Sequence, residues 1–157
     1  MIDFRKTVLG DLVKNVGKIQ NQREEILMTI LRKPETRNFI IKLQEEQLRF
    51  GIRGDGTDFP ASNPNYVESV RRREGSQQKP TFKINLLNKG RFYDTIDVVY
   101  GKSFFEIIAN LNLYGKNFQD LYGNGSPILG LTDNSINQLI EFIEDDFILE
   151  VARRLWL

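Results

Sequence analysis

Apolar positions recur at helical spacing at both ends of the chain and lean towards strand spacing in its middle. Ile2, Leu9, Leu12, Val13, Val16 and Ile19, then Ile26, Leu27, Ile30 and Leu31, predict helix over residues 2–32. Gly10 and Gly17 each weaken the first half by about 1 kcal/mol relative to Ala. A bend or break is therefore expected between Asn15 and Asn21. Asn21 suits the cap of a fresh helix, with Glu24 and Glu25 in a first turn that favours anions. Lys33-Pro34 sets the next boundary: the residue before proline is pushed out of the helical region, and proline fits the first helical position. A second helix is predicted from Pro34 to about Phe50, with Phe39, Ile40, Leu43, Gln47 and Phe50 near one face and Gly51 as its stop.

Residues 51–65 are punctuated by Gly, Asp, Pro and Asn and predict a loop with a Gly54-Asp55-Gly56 turn. A short helix is expected over 65–74, then a polar linker, then a strand over 82–87. Arg91 to Asp94 suits one helical turn. Thr95–Tyr100 and Ser103–Ile108 form the clearest strand pair, joined by Gly101-Lys102 as a tight turn, with Ile96, Val98 and Tyr100 sharing one face. Residues 110–121 are expected to be helical and 122–130 a loop. Thr132-Asp133-Asn134-Ser135 is a strong N-cap cluster for a final helix to about Trp156. Its apolar stripe is Ile136, Leu139, Ile140, Ile143, Phe147, Val151 and Leu155, opposite Glu141, Glu144 and Asp145. The expected architecture is α+β: N-terminal helices, a small antiparallel β-sheet, and a long C-terminal helix packed on it. Residues 1–33 are read as an N-terminal helical arm and 34–157 as the α+β domain.

Composition narrows the chemistry. The 157 residues are 40% hydrophobic and 27% charged, which suits a globular chain that needs no staple. Formal net charge is +1, so the whole molecule is no electrostatic nucleic-acid binder. The chain has no Cys, which excludes disulfides, thiolate metal sites and a thiol nucleophile. It also has no His, so the usual general base near neutral pH and the commonest transition-metal ligand are missing. No catalytic residue, cofactor or metal is expected. The opening MIDFRKTVLGDL carries no apolar core of a secretory signal, and no run approaches the ~20 apolar residues that span a bilayer, so no membrane partner is expected.

Gly54-Asp55-Gly56-Thr57-Asp58 lacks the spaced acids and closing Glu of a calcium loop and reads as a turn. Glu144-Asp145-Asp146 are consecutive on a helix and point apart, so a solvated face is preferred over a metal or acid–base cluster. Phe92, Tyr93, Phe104, Phe105, Tyr114, Phe118 and Tyr122 sit among Ile, Leu, Val and Asn, which favours core or interface over base stacking. Two interaction candidates remain. Arg71, Arg72 and Arg73 could touch DNA phosphates or an acidic partner rim, or simply end a solvated helix. Trp156 and Leu157 either fold back on the core or dock onto a partner.

Several motifs, in order, resemble one family. Gly54-Asp55-Gly56 with Phe59-Pro60 and Ser62 resembles a loop before a short helix; Tyr66 to Arg73 stands where the family has a basic amphipathic helix. Leu86 to Ile96 resembles a Leu, Thr-Gly, Leu/Phe, Ser signature, with Lys89 and Thr95 in the places of Thr and Ser. Asn117 to Gly123 stands at an aromatic segment, and Leu129-Gly130-Leu131-Thr132 precedes the last helix as in that family. These features are similar to those of the tail-completion and virion-morphogenesis proteins of tailed phages, most of all from phages of Bacteroidetes hosts. The resemblance covers roughly residues 40–155. It implies a non-enzymatic virion structural protein at the head–tail joint, in a homo-oligomeric ring. It also implies neighbours on the portal-side adaptor and tail-tube sides, transient contact with passing DNA, and assembly in the host cytoplasm. The rival readings are a nucleic-acid-associated protein using Arg71–Arg73 and a carboxylate-based, metal-dependent hydrolase.

Overall fold

A computed structural model describes residues 8–60, 84, 86, 91–113 and 115–156, with side chains from residue 14 onward. The fold is mixed α+β. Its elements run α1 (Val8–Leu31), α2 (Pro34–Arg49), β1 (Asp97–Tyr100), β2 (Phe105–Ile108), β3 (Asn112–Leu113), β4 (Lys116–Asn117) and α3 (Asp133–Trp156). A 3-10 turn spans Tyr93–Thr95 and a π-helical turn spans Gln119–Gly123.

α1 is a single helix, so the expected break near Asn15–Asn21 and a fresh cap at Asn21 do not occur. The reason is packing. Ile19, Ile26 and Ile30 belong to one face that runs into the core, Ile26 and Ile30 being buried. Asn15 Nδ2 donates to the Leu155 carbonyl (3.1 Å), while Lys33, just past α1, pairs with Asp146 (2.7 Å). The pairs 15–155 and 33–146 show that α1 lies antiparallel along α3. Burial along that seam outweighs the weak helix propensity of Gly17, as most helix stability comes from an amphipathic face.

Pro34 opens α2 as expected, with Lys33 extended before it (φ −60°, ψ 140°). Gly51 (φ 74°) turns the chain away. Thr36, Ile40, Leu43, Gln44, Gln47 and Leu48 are buried. Phe50, expected on that face, is 71% exposed because it caps the helix after the buried row has ended.

β1 and β2 pair antiparallel, with Asp97 opposite Ile108 and Tyr100 opposite Phe105. Ile96 and Val98 are buried and Tyr100 is half-buried on the expected face. The turn sits one residue later than predicted: the Gly101 N–H donates to the Phe104 carbonyl (2.9 Å), which leaves Lys102-Ser103 at the tip. The hairpin is fastened to the helices through Tyr100 OH to the Leu31 carbonyl (2.8 Å) and Arg37 Nε to Asp97 (3.0 Å). Residues 110–121, expected to be helical, hold the β3–β4 ladder as far as Asn117 and turn helical only in the π-helical turn that starts at Gln119. Asn110 accepts from the Asn112 N–H (3.0 Å) and Asn117 from the Asp120 N–H (3.1 Å). The Asn110 bond offers the backbone an alternative to helix, whereas the Asn117 bond satisfies an N–H at the start of the π-helical turn. The predicted helix over 65–74 lies outside the described residues. Of the predicted strand over 82–87 only Ile84 and Leu86 are described; both are buried and neither is in a strand.

The core joins Phe92 with Phe118 (centroids 5.4 Å apart) and Phe118 with Tyr122 (5.9 Å), beneath Ile26, Ile40, Leu48 and Ile128. Tyr114 lies outside the described residues. Phe104 departs from the core expectation at 60% exposed, its ring folded over Gly101.

A buried polar clasp sets the start of α3. Gln47 Nε2 donates to the Arg53 (3.0 Å) and Gly130 (2.9 Å) carbonyls, and its Oε1 accepts from the Thr132 N–H (3.0 Å) and the Ser135 hydroxyl (3.1 Å). Gln44 Oε1 accepts from the Gly130 N–H (2.7 Å). Thr132 is the N-cap of α3, its hydroxyl accepting from the Ser135 N–H (3.3 Å). Gly54 lies so close to Leu129 that a Cβ would collide with the Leu129 carbonyl.

The same substitution should have opposite signs at two glycines. Gly17 has no atom within 4 Å of its would-be Cβ, so Gly17→Ala should raise unfolding free energy by about 0.5–1 kcal/mol. Gly54→Ala should lower it by about 1–3 kcal/mol through overpacking. Chemical denaturation of the two variants checks both signs.

Candidate interaction surface

α3 buries one row and exposes another. Ser135, Leu139 and Ile143 are buried, and Phe147, Val151 and Leu155 continue the row in steps of four as half-buried contacts. Steps of four drift slowly around a helix, so the row follows α2 first and α1 later. Ile136 (42% exposed) and Ile140 (54%), expected in the buried stripe, lie one position off it.

A second row was not expected. Phe142, Leu149 and Trp156 recur every seven residues and are 44%, 67% and 79% exposed. Ile148 adds a further exposed side chain beside Leu149. Phe142 is held in place by stacking on Phe39 of α2, with centroids 4.1 Å apart and rings 12° from parallel. The spacing was available in the sequence, but the stripe through Leu139 and Ile143 masked it. Trp156 belongs to this outward row and does not fold back on the core. Its neighbour Leu157 and the Arg71, Arg72 and Arg73 run lie outside the described residues.

Polar residues fix the C-terminal end of α3. Glu150 accepts from Arg153 (3.0 and 2.8 Å) and from Arg154 Nε (2.9 Å). Arg154 continues to Gln22 (3.0 Å) on α1. The Arg153 and then the Arg154 guanidinium hold the Glu150 carboxyl down from 4.5 to about 2.

A concavity of about 470 Å³ opens between β2, the 127–131 loop and the start of α3. Phe105, Ile107, Leu111, Leu129, Leu131 and Ile136 make it largely apolar. The register places the outward main-chain groups of Phe105 and Ile107 on this side, since Gly101–Phe104 is a hydrogen-bonded pair and such pairs alternate.

The Gly54–Asp58 segment is a closed turn. Asp55 accepts from the Thr57 N–H (3.0 Å) and hydroxyl (2.6 Å), and hydrogen bonds from the Ser126 and Thr57 hydroxyls lower its pKa to about 2. Asp146 is taken up by Lys33, while Glu144 and Asp145 stay exposed. Among the described residues no three acidic side chains converge as a metal site, and no helix is long and apolar enough to cross a membrane. Comparison with protein-family models, curated proteins and solved structures finds no match in any of the three.

Glu150 should be visible in the acid stability profile. Its folded pKa is depressed, so its contribution is fully present above its unfolded value of 4.5 and fades as pH falls toward about 2. The thermal midpoint should drop over that interval, and Glu150→Gln should start lower and drop less. An unchanged slope in a pH series of melts would remove Glu150 from this role.

Proposed function

We propose that this chain is a non-enzymatic structural subunit of a tailed-phage head–tail joint. It is a neck or tail-completion protein that acts as a homo-oligomeric ring between portal-side and tail-tube neighbours. The observation that carries the reading is the outward row Phe142, Leu149 and Trp156, with Ile148 beside it. A helix in water rarely keeps such a row uncovered unless a partner covers it.

The class of partner comes from the sequence resemblance. Two of its motifs, the Gly54 loop and Leu129-Gly130-Leu131-Thr132, meet in space: a Cβ on Gly54 would collide with the Leu129 carbonyl and the Gly130 nitrogen. Motifs joined in this way belong to one structural unit, which supports reading them together. A ring subunit needs two unlike surfaces that meet head to tail. α3 and the hairpin groove supply surfaces of different shape on one small body.

Imaging and mass measurement of assembled particles test the proposal. Many copies at one axial position, at the junction of head and tail, are expected. A dispersed location, or single copies, would overturn it.

A further inference from the structure

We infer that the groove beside β2 takes an extended segment of a different protein as a third strand, one with apolar side chains on either side of a cation. The first support is an open edge. Hydrogen-bonded pairs alternate along the hairpin from Gly101–Phe104, so Glu106 and Ile108 face β1 with their main-chain groups while those of Phe105 and Ile107 point outward. Among the described residues none bonds these outward groups. The other edge of the hairpin is closed. The Val98 N–H donates to the Asp97 carboxylate, Arg32 donates to the Gly101 carbonyl (2.8 Å), and Arg37 of α2 holds Asp97 (3.0 Å). A two-stranded hairpin gains from a third strand, and β2 is the edge left to accept one. An antiparallel guest would exchange about four main-chain bonds with Phe105 and Ile107.

The second support is the chemistry on the two faces. Residues paired across neighbouring strands present their side chains to the same face. The guest residues opposite Phe105 and Ile107 therefore point into the concavity walled by Leu111, Leu129, Leu131 and Ile136, which suits apolar side chains. The guest residue between them lies across from Glu106 on the other face. Glu106 is exposed and has no ion-pair partner among the described residues. A cation there completes a pair, and an anion is repelled. The same carboxylate argues against a second copy, because β2 laid antiparallel on its own copy would set Glu106 against Glu106. Nor does this chain carry a spare apolar–cation–apolar triplet. Ile41-Lys42-Leu43 and Leu48-Arg49-Phe50 lie in α2 and at its end, with Leu43 and Leu48 buried, and Phe82-Lys83-Ile84 ends on a buried Ile84. The strand seat rests on the hairpin; that its occupant is a neighbour in the assembled joint rests on the head–tail reading.

Three capped peptides test the seat on the full chain, by titration calorimetry and amide NMR: one centred on Ile-Lys-Ile, one on Ile-Glu-Ile, and an Ile-Lys-Ile form N-methylated on both isoleucine amides. The first should bind and slow hydrogen exchange at the Phe105 and Ile107 amides. The glutamate peptide should bind about fivefold more weakly, and the N-methylated one not at all. Glu106→Lys, at an exposed site, should reverse the preference between the lysine and glutamate peptides, with circular dichroism checking that the variant stays folded. No binding of the first peptide at ~1 mM, equal binding of the lysine and glutamate peptides, or full binding of the N-methylated form would each overturn the seat. So would slow exchange at those two amides before any peptide is added, since the edge would then already be taken by a second copy or by this chain itself. Peptide binding is measured apart from the particle, so its failure leaves the head–tail reading standing, and a particle that lacks the chain at its neck leaves the seat standing.

Discussion

The carboxamide of Gln47 bonds four groups on three segments: the Gly54 loop at Arg53, the 127–131 loop at Gly130, and the start of α3 at Thr132 and Ser135. Burying an amide is costly unless its donors and acceptors are met, and here both atoms of the carboxamide are engaged twice. This gives α2 a fixed angle to α3 at one end. Gln119 acts in the same way one layer away, donating to the Ser126 carbonyl (2.7 Å) and accepting from the Ile128 N–H (3.1 Å). The buried Arg53 guanidinium closes the set, donating to the Thr57 hydroxyl (2.9 Å) and to the Gly123 carbonyl. A loop that would otherwise strand its backbone groups is thereby held against the helices.

Elements with a strong local cause were legible in the sequence. Pro34, the Thr132 cap and the alternation Ile96, Val98, Tyr100 each act over a few residues, and each appears where its chemistry puts it. What failed was decided at longer range. Gly17 predicts weakness only if the helix stands alone, and α1 is packed along α3. Residues 110–117 are the local exception: the aromatic residues there carry no clean period, Asn110 bonds the Asn112 N–H, and the chain pairs as β3–β4. Gln44 and Gln47 sit three apart on the apolar face of α2, a signal of buried polar pairing. Only the distant partners Gly130 and Thr132 reveal what it serves.

The candidate surface was half legible for a related reason. Trp156 stood out because so large an aromatic side chain needs either the core or a partner to cover it. Phe142 and Leu149 did not, because a helix with two apolar rows reads as one broad stripe. The rows separate only when partners are assigned. α2 and α1 take Leu139, Ile143 and Phe147, and the seven-residue row is left over. Ile136 and Ile140 went the other way, Ile136 from expected core to the rim of the hairpin groove and Ile140 to an exposed position on α3.

Both ends of α3 are fastened by directional bonds: the Gln47–Thr132–Ser135 clasp at its start, and the Glu150–Arg154–Gln22 chain with Asn15 to Leu155 near its finish. Hydrogen bonds of this kind restrict sliding and rotation more than apolar packing alone, because their geometry is narrow. The outward row is therefore presented on a helix whose pitch and azimuth are set before any partner arrives. Association then need not order α3, and that removes part of the entropic cost that usually weakens helix docking. Phe39 extends the logic to a single side chain, since its stacking fixes the ring of Phe142 at the edge of the row. A surface built this way favours one orientation of its occupant, as the proposed ring would require, because small angular errors accumulate around a ring and prevent closure.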